Sequence, residues 1–371
     1  MPAKALLKRR RFWRSARIVS LSAAMLTLVG CGVGSSRATT PTSSASGAAR
    51  LADGRLVNVV CSGHGTPTVL LESGFAADSG AWYKVQPTLA RTTRVCSYDR
   101  AGSGFSDPGP LPRDGAAIAR DLDQALRAAK IQGPFIVTGH SAGGLYARLF
   151  AARRPQDVRG LVLLDPTVER RASQPVNDGL DGIRRQVKRC LSTTQITPQP
   201  PADDTAWSGC ISPKADEQAQ RVGRRPATWL SQLSELDTLF GRTSEEVGRI
   251  GGLLGDIPIY VVTASETAAA SPPLPFGPAI STWEAQHQAL ASRSRAGFQT
   301  TVISTHMVMI ERPDIVISAV TAMVNAVRHG RAPPPLPPSE TTAPTAQEPS
   351  IFNVPNPFEG SFAPEGFRRL K

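Results

Sequence analysis

Between residues 51 and 329 apolar and polar positions follow two alternating rhythms. Short, nearly unbroken apolar runs occur at Arg55–Cys61, Thr68–Leu71, Arg94–Tyr98, Phe135–Thr138, Leu161–Leu164, Ile257–Val262 and Thr300–Ser304. Most are bounded by Gly, Asp or Ser, which predicts short strands, the later ones buried on both faces. Between them the period changes. In the segment 114–130, Ile118, Leu122, Ala125, Leu126 and Ala129 recur at i, i+4, i+7, i+8 and i+11, one apolar stripe of a helix. The run Asp314–Val327, after Pro313, repeats that pattern. Strands alternating with helices predict an α/β fold, a mostly parallel sheet flanked by helices. Residues 167–255 break the rhythm with the helical runs DGIRRQVKRCL and TWLSQLSELDTLF and no convincing strand. An inserted helical cap is therefore expected there, between core segments 51–166 and 256–329. Its Trp229, Leu230, Leu233, Leu236 and Leu239 either pack the cap itself or face a substrate cavity.

The two ends of the chain are patterned differently. Residues 1–31 combine a basic start, an apolar stretch Ile18–Val29 and small residues, the layout of a secretory signal. Leu28-Val29-Gly30-Cys31 resembles a bacterial lipobox, in which Cys31 becomes the lipidated first residue of the mature chain. Arg9-Arg10-Arg11 resembles a twin-arginine export signal. The expectation is an exported lipoprotein, anchored to the membrane on the extracytoplasmic side of the cell envelope. Residues 32–50 are small and polar and read as a flexible tether, and residues 330–371, opening RAPPPLPP after Gly330, as a Pro-rich disordered tail.

Composition narrows the class further. A chain of 371 residues with 40% hydrophobic content can bury a real core, which excludes wholesale disorder and a disulfide-only scaffold. The net charge of +12 falls to +5 once the seven basic residues of the first 30 are set aside, so no nucleic-acid partner is implied. Besides Cys31 there are four cysteines, which allow three pairings. Cys61 and Cys96 sit on predicted strands and Cys190 and Cys210 close a short loop, so Cys61–Cys96 and Cys190–Cys210 are the favoured bridges in an oxidising compartment. No CxxC and no His/Cys ligand spacing points to a metal.

The candidate chemistry lies at Gly139-His140-Ser141-Ala142-Gly143, between the strand FIVT and the helical run GLYARLFAARR. A serine on a tight strand-to-helix turn needs glycines at these positions, because the backbone is strained and the neighbouring chain passes close; the turn lifts Oγ clear of the sheet. The helix that begins there aims N–H groups and a positive dipole end at the same spot. A serine hydroxyl becomes a useful nucleophile only with a base to take its proton. Of the five histidines, His64 lies in a turn, His287 in a polar helical run and His329 at the start of the tail, while the His140 side chain should diverge from Ser141. His306 remains, on a loop at the carboxyl end of a strand. For the third member, Asp165 directly after LVLL is preferred, with Glu266, after IPIYVV, as the alternative; both keep the order Ser, acid, His.

Four segments taken together, LESGFAADSGAW, YDRAGSGFSDPG, GHSAGG and STHMVMIERPDIV, resemble in order the oxyanion-loop, following-loop, nucleophile-elbow and histidine-loop segments of the α/β-hydrolase fold superfamily. The resemblance covers most of the central block. It departs from the family in having Ser73 before the oxyanion-loop glycine, no Asp after IPIYVV, and a long cap. It implies that the backbone N–H groups of Phe75 and Ala142 form an oxyanion hole. It also ties dehalogenase and epoxide-hydrolase chemistry to a carboxylate nucleophile, which Ser141 is not.

These readings converge on a serine hydrolase acting on small or acyl carboxylic esters, with Ser141 as nucleophile, His306 as base and then acid, and no cofactor. An amidase or aminopeptidase of the same fold is one alternative. A surface-tethered binding protein with an inactive site is another.

Overall fold

The computed structural model describes residues 46–169, 180–196, 207, 209–212, 215–250, 254–271 and 282–335. The expected signal region with Cys31, most of the expected tether and most of the expected tail lie outside them. Among the described residues eight strands form one sheet: β1 (Ser46–Arg50), β2 (Leu56–Ser62), β3 (Thr68–Glu72), β4 (Val95–Tyr98), β5 (Phe135–His140), β6 (Val158–Leu164), β7 (Ile259–Ala264) and β8 (Gly297–Val302). Their order is β1-β2-β4-β3-β5-β6-β7-β8, with β1 and β2 antiparallel and every pairing from β4 to β8 parallel. The helices are α1 (Gln86–Leu89), α2 (Gly115–Ala128), α3 (Gly143–Arg153), α4 (Asp181–Ile196), α5 (Glu217–Gly223), α6 (Pro226–Thr238), α7 (Ser244–Arg249), α8 (Ser265–Ala270), α9 (Thr282–Ala291), α10 (Val308–Glu311) and α11 (Pro313–Arg328). Among the described residues no helix is long and apolar enough to cross a membrane.

The continuous apolar runs become the middle of the sheet because both of its faces are covered. Side chains alternate: Phe135, Val137, Leu161, Leu163, Ile259 and Val261 join one core with α2, α3 and α9. Ile136, Val162, Leu164, Tyr260 and Val262 join the other with α10 and α11. Asp114 caps α2 by accepting from the Ala117 N–H at 2.8 Å. The stripe Ile118, Leu122, Ala125 and Leu126 is buried, whereas Ala129 is the exposed C-cap, where the helix has already ended. Pro313 opens α11, whose Val316, Ala319, Val320, Met323 and Val324 are buried.

Three boundaries differ from expectation. Residues 46–50, expected within the tether, pair antiparallel with β2, because a ladder of backbone hydrogen bonds needs no apolar side chains. The last strand starts at Gly297 and ends at Val302, so that Ser304 lies in the turn carrying His306 rather than in the ladder. The expected disordered tail does not begin at 330: Pro333 is buried, and the Pro334 carbonyl accepts a hydrogen bond from the Tyr260 hydroxyl.

Between β6 and β7 all described elements are helical. Val187, Cys190, Trp207, Cys210, Trp229 and Leu236 form a small core of the cap, on which Phe75 and Leu233 pack. Leu239 belongs instead to the main core, and Leu230 is exposed. Disulfides join Cys190 to Cys210 within this cap core and Cys61 to Cys96 at directly paired positions of β2 and β4.

Candidate active site

Ser141 follows the last residue of β5 and precedes α3, with φ +53°, a left-handed conformation rare for a residue with a side chain. Such a conformation costs about 1–3 kcal/mol and persists where its surroundings over-determine it. Here they do. The Ser141 N–H donates to the Leu164 carbonyl at 3.0 Å, and its own carbonyl accepts from Gly144 and Thr167, each at 2.9 Å. A Cβ on Gly139 would lie 2.6 Å from the Gly143 oxygen, and one on Gly143 would lie 2.4 Å from that of Glu72. Backbone on both sides thus enforces glycine. From Phe135 to Ala151, every residue except Ser141 is buried.

Asp165, at the carboxyl end of the adjacent strand β6, has φ +40° and is wholly buried. Its Oδ1 accepts from the Ala264 N–H at 3.0 Å and from Trp283 Nε1 at 2.8 Å, and its Oδ2 meets His306 Nδ1 at 2.6 Å. Burial pushes this carboxyl up, yet the hydrogen bond and charge of His306 and the donors of Trp283 and Ala264 hold it below its usual value. An ionised Asp165 requires the proton on His306 Nδ1. That leaves Nε2 as the ring's lone pair. The His306 side chain is 39% exposed, so its outer edge is accessible.

Of the two acids considered, Asp165 is the one the fold brings to His306. Glu266 stands exposed in the first turn of α8, its N–H spent on the Ser304 carbonyl at 3.2 Å. Strand β7 ends in Ala264, whose amide instead supports Asp165.

Phe75 lies in the loop after β3, where a Cβ on Gly74 would come within 3.2 Å of the Ser141 Cβ, so this loop passes directly over the serine. Ala142 stands at the open N-terminus of α3. Among the described residues neither amide is engaged by another group. Two uncommitted N–H groups beside a serine are what a developing oxyanion needs. No group of three or more His, Cys, Asp or Glu side chains that could hold a metal ion occurs among the described residues.

Three supporting residues escaped sequence reasoning. The His140 Nε2 lies 2.8 Å from the His306 carbonyl, so Nε2 carries the proton, and the two rings sit 4.7 Å apart. Burial, and then the neighbouring His306, push the His140 ring down to about 3, which keeps it neutral. His287, expected in a polar run, is wholly buried: Nε2 donates to the Pro166 carbonyl and Nδ1 accepts from Thr263, both at 2.8 Å. It fixes the chain directly after Asp165, while Trp283 holds the carboxylate. Trp283 and His287 are i and i+4 on α9, a spacing that placed them on one face in advance.

A serine on a strained strand-to-helix turn, a buried Asp–His pair at neighbouring strand ends and a helical insertion define a doubly covered α/β fold with a site at the carboxyl edge of its sheet. A family model described as alpha/beta hydrolase fold matches residues 67–199. Solved structures agree across most of the chain. The epoxide hydrolase CorEH superposes with a TM-score of 0.56 at 18% identity, covering 76% of this chain and 99% of its own. The enol-lactonase from Burkholderia xenovorans does so with a TM-score of 0.54 at 19% identity, covering 75% and 100%. An AB hydrolase superfamily protein of Gibberella zeae is 35% identical over 108 residues, 28% of this chain and 34% of that one. The chain spans between 15% and 40% of the length of the first curated relatives it matches. The chain has the α/β-hydrolase fold, and its residues 67–199 match that family's model.

Proposed function

We propose that the protein is a serine hydrolase cleaving small or acyl carboxylic esters through an acyl-enzyme. The observation that carries this reading is the 2.6 Å hydrogen bond between His306 Nδ1 and buried Asp165, on the sheet edge that also bears Ser141 on its strained turn. With Nδ1 protonated, His306 Nε2 is the base: Ser141 Oγ attacks the acyl carbon and gives its proton to Nε2. The carbonyl oxygen gains negative charge and is stabilised by the Phe75 and Ala142 N–H groups. As the tetrahedral intermediate collapses, the C–O bond to the leaving group breaks and Nε2–H protonates the alkoxide. Water, deprotonated by the same nitrogen, then attacks the acyl carbon, and the carboxylic acid leaves with Ser141 restored. Every step uses this chain's own groups and water.

Relatives by name include an epoxide hydrolase and an enol-lactonase. A lactone is a cyclic ester, and the hydroxyl at position 141 suits acyl transfer rather than carboxylate attack on an epoxide. A fluorophosphonate probe should label the wild-type protein but neither Ser141→Ala nor His306→Ala. Ester turnover by Ser141→Ala should drop by about 10⁶-fold in kcat. A folded wild type that the probe leaves untouched overturns the assignment and favours a binding protein.

A further inference from the structure

Arg100, in the loop after β4, is 3% exposed, and its guanidinium joins parts of the molecule far apart in sequence. Nη1 donates to Glu72 Oε1 at 3.0 Å and to the Ser73 carbonyl at 2.7 Å, and Nη2 to the Gly74 carbonyl at 2.6 Å. Nε and Nη2 reach the two carboxylate oxygens of Glu235, on cap helix α6, at 3.2 and 3.3 Å. The cation also lies 5.3 Å from the centre of the Tyr146 ring of α3. Such a fork of donors is what arginine supplies and lysine cannot.

The Gly74 carbonyl and the Phe75 N–H belong to the same peptide unit. That unit is trans, so the two bonds point in opposite directions. Pinning the oxygen onto a buried cation therefore turns the N–H the other way, in a loop where a Cβ on Gly74 would come within 3.2 Å of the Ser141 Cβ. A cation on the oxygen also withdraws electron density from the amide and makes the N–H a stronger donor. Burial pushes the Glu72 carboxyl up, against the pull of Arg100 and of the Tyr98 hydroxyl that donates to it.

We propose that Arg100 is a positioning residue for the oxyanion hole: through the Gly74 carbonyl it aims and polarises the Phe75 N–H, and through Glu235 it makes that aim depend on the seating of the cap. This rests on the serine-hydrolase reading above. The cap then does more than enclose a substrate. Its displacement would loosen the group that orients an oxyanion donor.

The test compares an ester with its thionoester, whose sulfur is a poor acceptor for the same N–H groups, in wild type, Arg100→Lys and Glu235→Gln. Lysine keeps the charge but cannot hold two carbonyls and two carboxylates together. For Arg100→Lys the expected outcome is an approximately 10²-fold loss of ester kcat, with KM and the pH profile of kcat/KM unchanged and the ester-to-thionoester ratio reduced. Glu235→Gln, nearly isosteric and still able to accept one hydrogen bond, should lower the ratio in the same direction by a smaller factor. If Arg100→Lys does not fold, the Glu235→Gln ratio decides alone. An unchanged ratio in a folded, active variant overturns the role of Arg100 and leaves the serine hydrolase standing. A wild type that turns over neither substrate overturns both.

Discussion

The sheet edge and the cap are built by different physics. At the edge, Ser141 and Asp165 stand at the ends of adjacent strands buried on both faces, and backbone bonds such as Ser141 N–H to Leu164 carbonyl fix them. Among the described residues, the cap has a core of six buried residues, two of them joined in a disulfide. It sits on the segment that leads into α2 and on that helix's first turn through side-chain bonds: Ser234 Oγ accepts from the Arg113 N–H, Thr243 Oγ1 from Gly115 N–H and Glu246 from Ala116 N–H, all at 2.8–2.9 Å. Gly102 lets α6 approach, since a Cβ there would meet Ser231 Oγ at 2.2 Å. Backbone-determined positions tolerate no drift and suit the groups proposed to react, whereas side-chain docking can vary in sequence without disturbing the sheet. Arg100 is where the two regimes meet.

The largest effect that would sharpen this contrast is Asp165→Asn. It should lower kcat by about 10⁴-fold by leaving His306 in the wrong tautomer, with hydrogen exchange in β5 and β6 unchanged. A comparable loss of exchange protection would mean that Asp165 holds the sheet rather than the histidine. The next lies in the cap. Replacing Cys190 and Cys210 together with serine opens a loop of sequence separation 20 and should destabilise the cap by about 3 kcal/mol, seen as faster exchange in α4 and α6 but not in β5–β7. Equal acceleration in the sheet would erase the distinction between the two regions.

The smallest effect probes the edge through pH. His140 titrates near 6.5 when unfolded and is pushed to about 3 when folded, so below 6.5 the unfolded chain takes up a proton that the folded protein refuses. The neutral ring is therefore tolerated fully above pH 6.5, and stability is lost as pH falls from there toward 3. Between pH 7 and pH 5 wild type should lose about 2 kcal/mol more than His140→Gln in urea unfolding. Parallel losses would show that the ring is not held neutral.

Much of this was legible one residue at a time. The apolar runs announced the strands, and the glycines flanking Ser141 announced the turn, because both signals are local. The choice between Asp165 and Glu266 was not local: it depended on β6 and β8 ending so that one carboxylate alone meets His306. His287 lies in the largely polar run EAQHQAL, which carries no local sign of burial; its burial follows from α9 packing on β7. The loop 99–110 was recognisable as a segment, yet nothing in its order foretold that Arg100 would grip Glu235, 135 positions later.

The sequence by itself determined the alternation of strands and helices, the helical insertion and the strained serine, all of which follow from periodicity and backbone conformational preference within a few residues. Tertiary structure decided the partner of His306, the donors that keep Asp165 charged, and the Arg100 bridge between Gly74 and the cap. Hydrogen bonds between distant segments depend on distances of tenths of an ångström, and those distances exist only after the sheet has set its register and the cap has closed over the loops.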